Sequence, residues 1–242
     1  MRFFLELSYN GGAYSGWQRQ PNALTVQECI EKALSVLLRR EVAIVGAGRT
    51  DAGVHASYYV AHFDSDVALD CEWLHYKMNI LLPHDIAVSS IREVSEQLHA
   101  RFSATMREYT YIIEPKKNPF TRHTSWQFTQ PLDIDRMNEA AATMIGEKDF
   151  TTFAKLGSDN KTNICRVSQA EWRVAADGSL HFTIRANRFL RNMIRAVVGT
   201  LVDVGKGRYS VAQFREILES QDLSRCSTGA PAQGLFLSDI RY

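Results

Sequence analysis

Residues 46–56, Gly46-Ala47-Gly48-Arg49-Thr50-Asp51-Ala52-Gly53-Val54-His55-Ala56, gather glycines, an arginine and a carboxylate between two apolar runs at 42–45 and 58–61. A loop carried by two strands is where a rigid scaffold presents reactive groups. Asp51 is therefore a candidate nucleophile or base. It is equally well explained as a turn residue that bonds its own backbone. Arg49, two residues earlier, supplies a cation for that carboxylate or for a phosphate. A phosphate-cradling P-loop is excluded, because no G-x-x-x-x-G-K-[ST] spacing occurs.

A second segment with chemical content is 187–195, NRFLRNMIR, where helical spacing places Arg188, Arg191 and Arg195 on one face and Leu190, Ile194, Val197 and Leu201 on another. Residues 185–202 contain no acid, so this stripe favours an anion over a merely solvated face. Further cations, His99, Arg101, Arg107, Lys116, Lys117, Arg122 and His123, interleave with Phe102, Tyr109, Tyr111 and Phe120. That mixture suits single-stranded or looped RNA, whose bases stack on aromatic rings while phosphates meet cations. Ordinary strand packing accounts for one of Tyr109 and Tyr111.

The chain as a whole is nearly neutral, with 28 Lys and Arg against 27 Asp and Glu, so any basic surface is local. No metal site is assigned. His55, His62, Asp64 and Asp66 lie close together, but their spacing matches no metal-site signature and a polar face explains them. The four cysteines are far apart with no C-x-x-C pair, which fits reduced, buried thiols. No apolar run reaches the roughly 18 residues of a membrane span, and Met1-Arg2-Phe3-Phe4 leads into Glu6 without a signal-peptide core. A soluble, cytoplasmic protein with no membrane partner is expected.

The elements that must position these groups follow from periodicity. Residues 2–9 alternate as a strand with Phe3, Leu5, Leu7 and Tyr9 inward. Thr25-Val26-Gln27-Glu28 predicts a capping box before a helix that ends near Arg39. The runs 42–45 and 58–61 read as strands, 72–82 as a helix stopped by Pro83, and 85–94 as a strand. The order is βαββαβ, the ferredoxin-like arrangement. The second half predicts a strand at 106–114, a helix at 134–145, a hairpin of 166–174 and 180–186 around Asp177-Gly178, a long helix at 187–204, a helix capped by Ser210, and a final strand at 235–240. The expected fold is α+β: two ferredoxin-like domains, 1–103 and 104–242, joined in a continuous antiparallel sheet flanked by helices.

Five stretches resemble the tRNA pseudouridine synthase A family: Y-x-G-x-x-Y-x-G-W-Q at 9–18, GRTDAGVHA at 48–56, HARFSA followed by R-x-Y-x-Y at 99–111, FLRNMIR at 189–195 and APAQGL at 230–235. They occur in family order along essentially the whole chain. The resemblance implies two α+β domains facing a basic cleft, and isomerisation of uridine to pseudouridine at positions 38, 39 and 40 of the tRNA anticodon stem-loop, with no cofactor. It also implies a homodimer with tRNA lying across both subunits. Asp51 matches the catalytic aspartate and Arg195 the arginine that pairs with it. Tyr109 matches the tyrosine that contacts the flipped base, and Arg49 the arginine that fills the vacated place in the stem. Arg188, Arg191, Lys116 and Lys117 are expected substrate-binding cations as a class. The pattern departs at Cys165, in KTNICRV, where a Thr or Arg is expected.

Two rival classes have distinct signatures. A non-catalytic tRNA-binding module or RNA chaperone keeps the basic and aromatic clusters without needing Asp51. A metal-dependent phosphoesterase built on the His and Asp cluster would be silenced by chelation.

Overall fold

The computed structural model describes residues 1–155, 157 and 161–242. The chain divides into two compact units, Met1–Thr105 with Leu237–Tyr242, and Met106–Phe236. Its strands are mostly antiparallel and flanked by helices, an α+β class.

The first unit contains β1 (Arg2–Tyr9), α1 (Val26–Leu38), β2 (Val45–Gly46), β3 (His55–Asp64), α2 (Cys71–Leu81) and β4 (Ile86–Val94). β1 lies between β3 and β4, antiparallel to both. Phe3, Leu5, Leu7 and Tyr9 are buried as their alternation predicts. Phe4, on the opposite face, is buried too, beneath the Tyr242 ring and the Arg92 guanidinium. α1 starts where expected, with the Thr25 side chain accepting from the Glu28 N–H at 3.4 Å, while the Glu28 carboxylate pairs with Lys32 one turn on. The helix stops at Arg39, which is left-handed at φ 53°. α2 is capped by Asp70 and turns Leu74 and Met78 inward.

The predicted strand at 42–45 shrinks to Val45–Gly46. Side chains of α1 take the backbone bonds a neighbouring strand would have taken: Glu31 Oε1 accepts from Ile44 N, Gln27 Nε2 donates to Ile44 O, and Ser35 Oγ accepts from Val42 N. Buried Gln27 and Glu31 therefore hold this segment in place of a sheet ladder.

The second unit contains β5 (Met106–Glu114), β6 (Trp126–Gln127), α3 (Ile134–Ala142), β7 (Gly146–Asp149), β8 (Ile164–Val174), β9 (Leu180–Ala186), α4 (Met193–Gly205) and α5 (Val211–Glu219). The strands run β5-β9-β8-β7, each antiparallel to its neighbour, with β6 parallel to β5. The Asp177-Gly178 turn forms, Gly178 at φ 86° and Asp177 Oδ1 accepting from the Ser179 N–H and hydroxyl. The capping box of α5 is complete, Ser210 and Gln213 each satisfying the other's backbone. α3 ends at Ala142, short of the predicted 145, because Gly146 at φ 99° opens β7. The last strand, β10 (Leu235–Arg241), is a neighbour of β3, and Leu237–Tyr242 belong to the first unit.

The predicted helix over 187–204 begins only at Met193, which corrects the three-arginine helical stripe. Asn187 is tied to β8 in both directions, its N–H donating to Arg166 O at 3.1 Å and its Oδ1 accepting from Arg166 N at 2.8 Å. Lys155 N donates to Arg191 O, and Asn192 turns the chain at φ 64° before the helix starts. Arg188 and Arg191 consequently sit in a loop, and only Arg195 is on α4. Every residue of α4 except Arg195 is buried, including Thr200 and Asp203, the latter paired with Lys206 and Arg208.

Candidate active site

The loop that carries Asp51 rests on the segment that follows β1. The Tyr9 hydroxyl and Thr50 Oγ1 form a buried hydrogen bond of 2.9 Å. The Trp17 N–H donates to Thr50 O and the Gly53 N–H to Tyr14 O, while the Gly11 N–H donates to His55 Nδ1 at 3.0 Å. Behind the loop, Trp17 stacks on Tyr59 at 4.0 Å, and the Tyr59 hydroxyl donates to Gly48 O. Two glycines permit this close approach. A Cβ on Gly11 would lie 1.9 Å from Val54 O, and one on Gly16, which sits at φ 88°, would lie 2.3 Å from Thr50 O. The motif at 9–18 is thus the bed of the motif at 48–56.

The bed fixes the backbone around Asp51 and leaves its side chain half-exposed. The Val54 N–H donates to Asp51 O at 3.2 Å, closing a turn. Thr50 is buried below, and Arg49 and Ala52 are exposed on either side. A carboxylate held this way is open to solvent without sacrificing core packing. Arg49 also lines a cavity of about 160 Å³ with Gln18, Gln27, Gly46, Gly48 and Arg101.

The histidines of the candidate metal cluster are engaged in the fold. His55 Nδ1 accepts from Gly11 N, and His62 Nδ1 accepts from Ala100 N at 3.1 Å. Asp64 pairs with Arg2 through both carboxylate oxygens. Among the described residues no three His, Cys, Asp or Glu side chains converge as a metal cage would require. Burial, with Arg2 and His99 nearby, pushes His62 down to about 4, so its ring stays neutral and free to accept.

In the second unit, Tyr109 and Tyr111 sit two apart on β5 and share a face. Tyr111 is fully buried and its hydroxyl donates to Pro231 O at 2.8 Å, which assigns it to packing. Tyr109 is half-exposed, edge-on to Phe189 at 5.2 Å. Arg195, in the first turn of α4, donates from Nε to Ala230 O at 2.6 Å, and its own carbonyl accepts from Ala230 N. The close approach of Gly234 to the Tyr111 ring completes this bed, since a Cβ there would lie 2.7 Å from Tyr111 Cζ. The motif at 230–235 therefore supports Arg195 and Tyr111 as the motif at 9–18 supports Asp51.

The other predicted residues are dispersed. Arg188 is half-buried and Arg191 exposed in the loop before α4, and Lys116 and Lys117 are exposed in the turn after β5. Cys165 is buried on β8, its thiol pushed up to about 11 by burial, and it presents no reactive group. Periodicity does not announce Tyr9, Gly16 and Trp17 as supports of the site. The signal that could have found them is a glycine-rich segment placed directly after a strand.

The family described as tRNA pseudouridine synthase matches residues 7–103 and 140–242. A protein of Bacteroides thetaiotaomicron named tRNA pseudouridine synthase A is 51% identical over 243 residues, covering 100% of this chain and 90% of the relative. A protein of the same name from Bacillus subtilis is 38% identical over 246 residues, covering 100% of this chain and 99% of the relative. Another, from Azobacteroides pseudotrichonymphae, is 48% identical over 241 residues, covering 100% and 96%.

Proposed function

Because the chain belongs to the tRNA pseudouridine synthase family and is an isomerase that converts uridine in tRNA to pseudouridine, we propose that it acts at positions 38, 39 and 40 of the anticodon stem-loop with Asp51 as its catalytic carboxylate. The observation that supports this most is the bed beneath Asp51, in which Tyr9, Gly16 and Trp17 all converge on Thr50 and leave its neighbour half-exposed. The reaction breaks the N1–C1′ bond of a flipped uridine, turns the retained ring and forms C5–C1′, with the C5 proton lost and N1 protonated. No redox change or leaving group is involved, so one carboxylate acting as nucleophile or base suffices.

The remaining roles rest on the resemblance. Arg195 pairs with Asp51, Tyr109 contacts the flipped base, and Arg49 enters the stem. Arg188, Arg191, Lys116 and Lys117 bind phosphates, each from a loop position. The order of elements and strand neighbours in the first unit supports a ferredoxin-like reading. We read the chain as two such domains, 1–103 and 104–242, facing one basic cleft in a cytoplasmic homodimer. No helix among the described residues is long and apolar enough to cross a membrane.

The test is to map pseudouridine in tRNA from cells with and without this protein. The proposal expects loss of the modification at positions 38 to 40 alone. Loss at another tRNA site, with those three retained, would overturn the positional assignment.

A further inference from the structure

The turn at 98–103 is clamped from several directions. The Arg2 guanidinium donates to Glu96 O at 2.9 Å and Leu98 O at 3.0 Å. His62 Nδ1 accepts from Ala100 N, and the Tyr242 hydroxyl donates to Ala100 O at 2.8 Å. Inside the turn, Ser103 Oγ accepts from His99 N, and His99 Nδ1 accepts from both Arg101 N and Phe102 N. At the tip of this framework Phe102 is 75% exposed. Its ring is supported by the His99 ring at 4.4 Å and the Arg101 guanidinium at 5.4 Å. A large apolar ring held rigidly in water is an unfavourable arrangement for a free surface and a favourable one for a stacking platform, since little side-chain freedom remains to be lost on binding.

Arg101 also lines a cavity together with Arg49. The cavity is lined by two guanidiniums and no carboxylate. At about 160 Å³ it is smaller than the roughly 300–1,000 Å³ of a drug-sized ligand site, so it suits a small anionic group. Arg49 precedes Asp51 by two residues.

We propose that Arg101 and Phe102 form a second substrate grip beside the Asp51 loop, in which Phe102 stacks on an unpaired tRNA base and Arg101, from the cavity it shares with Arg49, takes a backbone phosphate. This rests on the reading of the chain as a tRNA-modifying enzyme and adds two substrate-binding residues to it. An exposed ring with a cation over it and a cationic pocket beside it matches RNA, whose bases and phosphates alternate at short range.

The grip is tested by titrating unmodified tRNA transcript with the parent, Phe102→Leu, Phe102→Tyr and Arg101→Ala, with turnover and thermal melting followed alongside. Phe102→Leu keeps apolar volume but removes the aromatic face, and should weaken binding about ten-fold and raise KM correspondingly, with melting unchanged. Phe102→Tyr should restore parental affinity. Arg101→Ala should lower the slope of log affinity against log salt by about one unit or slightly less. The grip is refuted if Phe102→Leu binds as the parent does, if Phe102→Tyr is as weak as Phe102→Leu, or if weaker binding comes only with lower melting. Because the titration needs no turnover, it decides the grip even where the parent makes no pseudouridine. That last result would instead count against the enzymatic reading.

Discussion

The Tyr9 hydroxyl and Thr50 Oγ1, 41 residues apart in sequence, share a buried hydrogen bond of 2.9 Å directly beneath the loop that carries Asp51. This bond joins the end of β1 to the residue before the carboxylate. Together with the Trp17 N–H on Thr50 O, it fixes the backbone from which the Asp51 side chain projects.

Tyr9→Phe removes one partner of that bond and leaves the Thr50 hydroxyl without it in a buried place. The expected cost is about 1–2 kcal/mol of stability, read by urea unfolding. Single-turnover pseudouridine formation should fall with tRNA affinity unchanged. A variant with parental stability and turnover would show that the pair positions nothing.

Gly16→Ala and Gly48→Ala make a matched comparison. Gly16 combines φ 88° with a Cβ position 2.3 Å from Thr50 O, so alanine there must displace the loop. A loss of at least about 2 kcal/mol, with activity nearly abolished, is expected. At Gly48 a Cβ meets nothing within 4 Å, so Gly48→Ala should stay within about 0.5 kcal/mol of the parent. Equal effects at the two positions would contradict the close contact.

Elements whose signals are local were legible in the sequence. β1 alternates, α1 and α5 announce themselves by Thr25 and Ser210, and the Asp177-Gly178 turn sits between its strands as its residue types require. What failed depends on distant partners. Residues 187–192 have helical spacing, but Asn187 is captured by Arg166 and Arg191 by Lys155, and no periodicity encodes those bonds. Residues 42–45 have strand composition, yet Gln27 and Glu31 supply the backbone partners. At the candidate site, Asp51 and Arg49 stood out by residue type and glycine context. The supporting role of Tyr9, Gly16 and Trp17 was not legible, because it exists only once the two segments meet.

His62 makes the clamp on Ala100 sensitive to acid. Its pKa lies at about 4 in the fold against about 6.5 in the unfolded chain, chiefly through burial and then through Arg2 and His99. Between those values the unfolded state binds the extra proton, so the contribution to stability is whole above about pH 6.5 and is lost as pH falls toward 4. The slope from this group is at most about 1.4 kcal/mol per pH unit. His62→Asn keeps an acceptor for the Ala100 N–H but does not titrate. Its unfolding free energy, measured at pH 7, 5.5 and 4.5, should fall less steeply than the parent's. Parallel curves would show that His62 does not carry this dependence.

In the proposed function Asp51 performs the chemistry while the bed beneath it holds the fold. This role is tested most directly by pseudouridine formation from unmodified tRNA transcript at saturating Asp51→Ala protein, with tRNA affinity and melting measured on the same preparation. The expected result is parental binding, stability within about 0.5 kcal/mol of the parent as for a half-exposed side chain, and no pseudouridine. Turnover at more than a small percentage of the parental rate would contradict the assignment of Asp51 as the catalytic carboxylate.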